Sequence, residues 1–212
     1  MVHSDFVHLH LHTPYSLLDG ASRIKELITL ALEYKMPALA MTDHGNMFGA
    51  IEFYEEVQKH GIKPIIGCEV YIAPQSRFDK TDSGIGKVSH HFILLAKDEE
   101  GYRNLMKLVS LGYLEGYYYR PRIDKEVLSK YSKGLIGTTA CLKGEIPCLI
   151  RDNRLNDAIK TADEFHLIFG KDNFYLEIQE NLIPEQRQVN EGILKVAAEL
   201  KLPVVATNDV HY

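Results

Sequence analysis

The 212-residue chain predicts an α/β fold, a closed or nearly closed barrel of seven strands. Three observations carry this. Seven short apolar runs alternate with helical or long loop segments, the pattern of a parallel sheet covered by helices. No hairpin turn signal joins successive strands, so all seven are expected to run parallel. Seven such units in this length close on themselves more readily than they form an open doubly wound sheet, and no glycine-rich phosphate loop supports that alternative.

The first strand is expected over 6–13, where His8, His10 and His12 alternate with Val7, Leu9 and Leu11. At a side-chain period of two, the histidines share one face. A loop with Asp19-Gly20 follows. Ser22 reads as the N-cap of a helix with Ile24, Leu27, Ile28, Ala31 and Leu32 at helical spacing, ending before Pro37. Residues 38–41 form the second strand, leading into Thr42-Asp43-His44-Gly45. A helix over 47–60 ends at Gly61. The third strand is 63–66, then Gly67-Cys68-Glu69 and an extended 70–73. The polar stretch 74–89 reads as a mobile surface loop. A strand over 91–97, a helix over 98–114, a tyrosine-rich loop over 116–122 and a short helix over 124–131 come next. A strand over 135–139 runs into Cys141, followed by helices over 145–151 and 155–169. The last units are a strand over 173–179, a helix over 184–200 and a strand over 203–207.

Composition sets limits. A hydrophobic fraction of 45% supports a sizeable core, and no apolar run approaches the about 20 residues of a membrane span. Three cysteines without a C-x-x-C fit a reducing cytoplasm better than a disulfide framework. No linker or low-complexity block divides the chain, so residues 1–212 read as one domain, and the abrupt end after the last strand suggests a piece of a longer protein. The net charge of −5 is unusual for a nucleic-acid partner, but bound divalent ions would offset it.

Imidazoles at i and i+2 on a strand can address one metal ion, which suits zinc and also iron or manganese. The plain alternative is an edge strand with a polar face. Parallel barrels gather functional side chains at the C-terminal strand ends. His44, Glu69, Cys141, Asp209 and His211 lie just past four further expected strands, and Asp19 joins them from the loop after the first, so all should converge with His10 and His12. Singly, each has a structural reading as a cap, turn or core residue. Together they point to metal-assisted phosphoester hydrolysis.

The segments Val7-His8-Leu9-His10-Leu11-His12-Thr13, Tyr15-Ser16-Leu17-Leu18-Asp19-Gly20, Pro37 to Gly45, Gly61 to Gly67, Leu94 to Lys97, Pro121 to Asp124 and Val205 to Tyr212 resemble the PHP (polymerase and histidinol phosphatase) family. They are most similar to the branch at the N-terminus of alpha subunits of bacterial replicative DNA polymerases of the polymerase III type. The resemblance implies a distorted seven-stranded, TIM-barrel-like (β/α) barrel with up to three divalent metals, zinc first, with manganese, iron or magnesium as alternatives. His10, His12 and Asp209 would hold one metal, Glu69 would bridge it to a second completed by His91 and Cys141, and Asp19, His44 and His211 would hold the third. His10, His12, Glu69 and Asp209 would carry the catalytic role. His91 begins its expected strand, at the wrong end for the barrel rule. His8 and Asp43 are expected to support the ligands or meet substrate. Tyr117 to Tyr119 with Arg120 and Arg122 are expected to stack bases and contact phosphate, or else to pack on other parts of a polymerase.

The activity implied is a metal-dependent phosphodiesterase, a 3′–5′ proofreading exonuclease acting on a DNA 3′ end in the cytoplasm. Other polymerase domains and replisome subunits would be its partners, and nucleotidyl transfer would reside beyond Tyr212. The alternatives are a small-molecule phosphatase of the histidinol-phosphate type and a metal-stabilised structural domain.

Overall fold

The computed structural model describes residues 3–81 and 89–211, so 82–88 of the expected 74–89 loop lie outside the described residues. The elements are α1 (Ile24–Glu33), β1 (Ala38–Met41), α2 (Ala50–Lys59), β2 (Lys63–Ile72), β3 (His90–Ala96), α3 (Glu99–Leu114), β4 (Tyr117–Tyr118), β5 (Arg120–Ile123), α4 (Lys125–Lys130), β6 (Leu135–Thr138), α5 (Glu145–Arg151), α6 (Leu155–Phe169), β7 (Phe174–Gln179), α7 (Pro184–Leu200) and β8 (Val204–Thr207).

Two helix starts follow from capping aspartates. Asp98 accepts from Gly101 N at α3, and Asp124 accepts from Val127 N at α4. The expected Ser22 cap is not made: Arg23 occupies that position at α1 and gives no side-chain hydrogen bond.

The sheet runs β4-β5-β2-β3-β6-β7-β8, with β1 also paired to β2. β1 and β5 run parallel to β2, as β6 does to β7 and β7 to β8. The all-parallel expectation fails at β3, which is antiparallel to both β2 and β6. A parallel neighbour needs a crossover, usually a helix. The described part of the β2–β3 connection contains no helix, and β3 returns alongside β2 in the opposite direction. The expected tyrosine loop is a tight antiparallel hairpin, β4–β5, with Tyr119 at its tip.

The histidine segment closes the curled sheet, but not as a regular strand. Ala40 N donates to His8 O and Thr42 N to Leu11 O on one side. On the other, His12 N donates to Val210 O and Val210 N to His10 O. The strict alternation expected for 6–13 is broken by a bend at His10. Leu9 packs with Ala40, Ile93 and Leu95, whereas Leu11 joins Ile24, Ile28 and Phe53 on the α1–α2 side. The largest apolar cluster lies between the sheet and α3 to α7, where Phe92 stacks against Phe165 and Phe169.

Candidate metal centre

The antiparallel course of β3 decides where His91 lies. The start of a reversed strand sits at the same end as the finish of its parallel neighbours, so His91 reaches the barrel mouth with no distortion needed. Glu69 was expected just beyond a strand ending at residue 66, yet it lies inside β2, which continues to Ile72. It still faces the mouth because β1 has ended: Gly45 N donates to Glu69 O at 2.8 Å, and Glu69 N reaches Asp43 O at 3.1 Å. Gly45 allows this turn, at φ +62 with Pro121 and Tyr71 where a Cβ would point.

Three sets of donor atoms form there: His10, His12, Glu69 and Asp209; His44, Glu69 and His91; and His12, His44 and His211. Glu69 Oε2 lies 3.1 Å from His10 Nε2, while Oε1 lies 2.7 Å from His44 Nδ1 and 2.6 Å from His91 Nδ1. Glu69 thus joins the first two sets through different oxygens. Asp19 Oδ2 lies 3.3 Å from His44 Nε2 and 3.9 Å from His211 Nε2. Cys141 Sγ lies 3.8 Å from His91 Nδ1. All nine expected ligand positions are brought to one mouth.

Two local devices aim these groups. Asp209 and Ala140 have φ of 49 and 57, so the chain turns sharply after β8 and β6 just where Asp209 and Cys141 are delivered. Non-glycine residues in this region cost about 1–3 kcal/mol and are sustained by their surroundings. Gly20 closes the loop that carries Asp19, with Thr13 O only 1.9 Å from where a Cβ would stand.

Tautomers follow from the hydrogen bonds. Ser16 Oγ donates to Asp43 Oδ1 at 2.8 Å, so its lone pair faces His12 Nδ1 at 3.0 Å. His12 Nδ1–H therefore donates to Ser16, leaving the Nε2 lone pair toward the centre. His12 Nε2 and Asp209 Oδ1 are buried, 3.4 Å apart and without an aligned hydrogen-bond partner. Converging buried lone pairs on nitrogen and carboxylate oxygen fit a divalent cation.

The charge pattern agrees. Burial opposes ionisation of Glu69, but His10, His44 and His91 outweigh it and hold the carboxyl well below its ordinary range. Burial likewise opposes ionisation of Asp209, and its contacts with His10 and His12 prevail. Burial would lower His10, yet Glu177 and the other carboxylates raise it well above its ordinary value. His12 goes the other way: burial lowers it to about 4. Burial, with Glu69 and Asp209 nearby, pushes the Cys141 thiol up, so ligation there requires loss of a proton.

Sequence reasoning missed Glu177. It is buried, and its Oε1 lies 2.7 Å from His10 Nδ1. Thr138, Thr207 and Gln179 also donate to it. A carboxylate on the far nitrogen fixes the ring so that Nε2 faces the metal position. The available signal was Glu177 and Gln179 on one face near the end of β7. Asp43 accepts from Thr13 and from Ser16, whose hydroxyl also faces His12. His8 is not in any of the donor sets; its ring lies edge-on to Phe6. The phosphate contact expected of Arg122 is corrected: this side chain is buried and donates to Gly116 O and Asp79 O. Arg120 is exposed and donates to Tyr71 OH at 2.7 Å, beside His91 and His44.

A family profile described as "PHP domain" matches residues 8–181, a span that ends before Asp209 and His211. The chain is 55% identical over 209 residues to DNA polymerase III subunit alpha of Borreliella burgdorferi, covering 99% of this chain and 18% of that protein. It is 47% identical over 212 residues to DNA polymerase III subunit alpha of Treponema pallidum, covering 100% of this chain and again 18% of the relative. The chain therefore spans about a fifth of the length of these relatives. Among solved structures, a candidate metal-dependent phosphoesterase from Bifidobacterium adolescentis shares the fold, with a TM-score of 0.57, 18% identity, and coverage of 97% of this chain and 87% of that one.

Proposed function

The chain belongs to the PHP domain family, and from that premise we propose that residues 1–212 are the phosphoesterase domain of a bacterial DNA polymerase III alpha subunit, removing nucleotides from a DNA 3′ end as a proofreading exonuclease. The observation that supports this best is the sharing of Glu69, His12 and His44 among three donor sets at one mouth. Sites sharing ligands hold cations a few Å apart, the spacing suited to in-line displacement at phosphorus.

In this reading His10, His12, Glu69 and Asp209 would hold one divalent ion, and Glu69, His91 and Cys141 a second. Asp19, His44 and His211 would hold a third. Zinc suits a set of imidazoles, carboxylates and one thiolate; manganese, iron and magnesium are the alternatives. The ions would supply hydroxide at neutral pH and neutralise charge on the phosphate oxygens. Glu177 orients His10, and Ser16 with Asp43 orients His12. Asp19, with a half-exposed side chain, marks the side from which substrate enters. Its partners would be the DNA 3′ end, the other polymerase domains and further replisome subunits. No helix of the described residues is long and apolar enough to cross a membrane.

The test compares labelled single-stranded DNA with a sugar phosphate monoester, using zinc- or manganese-loaded protein. Shortening of DNA from its 3′ end, abolished by His12→Ala, is expected. Phosphate release from the monoester alone would replace this reading by a small-molecule phosphatase. No hydrolysis with all metals bound would leave a metal-stabilised structural domain.

A further inference from the structure

The β4–β5 hairpin is fixed to the barrel by two buried arginines, Arg77 and Arg122. Arg122 donates to Gly116 O and to Asp79 O at its base. Arg77, also buried, donates to Glu115 and Asp124, which flank the hairpin in sequence. The tip residue Tyr119 sits at φ 58, left-handed for a non-glycine residue. Pro121 closes against the Gly45 turn, next to His44. The hairpin is thereby clamped onto the loop that carries one of the candidate ligands.

Arg120, in contrast, points outward from this anchored hairpin. Its Nη1 donates to Tyr71 OH at 2.7 Å, and its guanidinium carbon lies 4.8 Å from the centre of the Tyr71 ring. That ring meets His91 edge-on at 5.2 Å and stacks toward His44 at 6.4 Å. Arg120 therefore stands one aromatic ring away from the metal mouth. It belongs to none of the three donor sets, and this place beside the mouth suits the next phosphate along a chain. A planar guanidinium already fixed by a phenol loses little freedom on taking a phosphate.

We infer that Tyr71 and Arg120 form a subsite for the phosphodiester next to the scissile one, so that this site selects a polynucleotide chain over a lone phosphoester. Arg120 contacts that neighbouring phosphate, and Tyr71 is a positioning residue that holds Arg120. The inference rests on the phosphoesterase reading above. It is tested by steady-state kinetics of the metal-loaded protein on oligothymidylate and on the p-nitrophenyl ester of thymidine 5′-monophosphate, which has no second phosphate. Arg120→Gln should raise KM for the oligonucleotide about tenfold to a hundredfold, with at least tenfold less effect on the short ester. Arg120→Lys should recover part of the loss, and Tyr71→Phe should show a smaller change of the same kind. The slope of log(kcat/KM) against log salt should become shallower by about 0.7 for Arg120→Gln. Equal effects on the two substrates, or none on either, would overturn the subsite. If wild type cleaves neither, the phosphoesterase reading fails, and equilibrium binding of oligothymidylate decides separately. A weaker, less salt-dependent complex for Arg120→Gln supports the subsite, and unchanged binding overturns it.

Discussion

His10 is the residue on which the most charge converges. Its Nδ1 faces Glu177, and its Nε2 faces Glu69 and Asp209. Burial opposes a charged imidazole there, but without metal these carboxylates outweigh it and raise His10 well above its ordinary value, favouring the protonated ring. Ligation through Nε2 requires loss of that proton, and Cys141 must lose one as well. Metal affinity should therefore rise with pH through neutrality, with protons released on binding. Calorimetry in buffers of different ionisation enthalpy checks this, and a pH-independent affinity would refute it. Stability of the metal-free protein follows the same groups. The share from Glu69, Glu177 and Asp209, all held low, is present above their ordinary values and is lost as pH falls through the depressed ones. The share from His10 is present below its ordinary value of 6.5 and is lost as pH rises through the raised one. Acid and base denaturation of apoprotein should thus bracket a stable middle range. Glu177→Gln should weaken metal binding about 10–100-fold while the fold persists, as read by competitive chelator titration and circular dichroism.

Among the elements, the turn after β1 matters most. Its Gly45 accommodates a positive φ and the close approach of Pro121 and Tyr71. Gly45→Val would impose a strained backbone and a clash together. It should cost about 1–3 kcal/mol in denaturant unfolding and loosen the His44 ligand. Metal titration of the same variant should show a weakened site alongside the lost stability. Most helix limits were readable beforehand for local reasons. The expected spans 145–151, 155–169 and 184–200 match α5, α6 and α7, because helical periodicity and the Pro184 start are local signals. The direction of β3 was not readable, since nothing local to 90–96 says which neighbours it will pair with. The β4–β5 hairpin escaped for a related reason: a one-residue tip in the left-handed region, at Tyr119, carries no glycine to announce it.

At the scale of the molecule, the candidate ligands come from almost the whole chain, from His10 to His211. A cation bound by such a set stabilises the folded state alone, because the unfolded chain cannot bring them together. At a thousandfold excess over the dissociation constant this amounts to about 4 kcal/mol per site. Chelation should lower the melting temperature by several degrees, and readdition of zinc should restore it. The Asp209→Ala variant should respond less than wild type. A melting temperature indifferent to chelator would exclude this coupling.

The sequence by itself determined the α/β class, the alternation of most strands with helices and the chemical kinds of the candidate ligands. Those rest on periodicity and on residue type, which are properties of short stretches. It also placed His44, Cys141, Asp209 and His211 just past their strands, because the position of a side chain relative to a strand end is local too. Only the tertiary structure decided the rest. The reversal of β3 put His91 at the mouth, and the continuation of β2 past the end of β1 placed Glu69 between donor sets. The place of β7 between β6 and β8 set Glu177 behind His10, and the closing of the hairpin buried Arg122 while leaving Arg120 exposed. Each depends on which distant segments meet, and pairing between distant segments is a property of the whole fold.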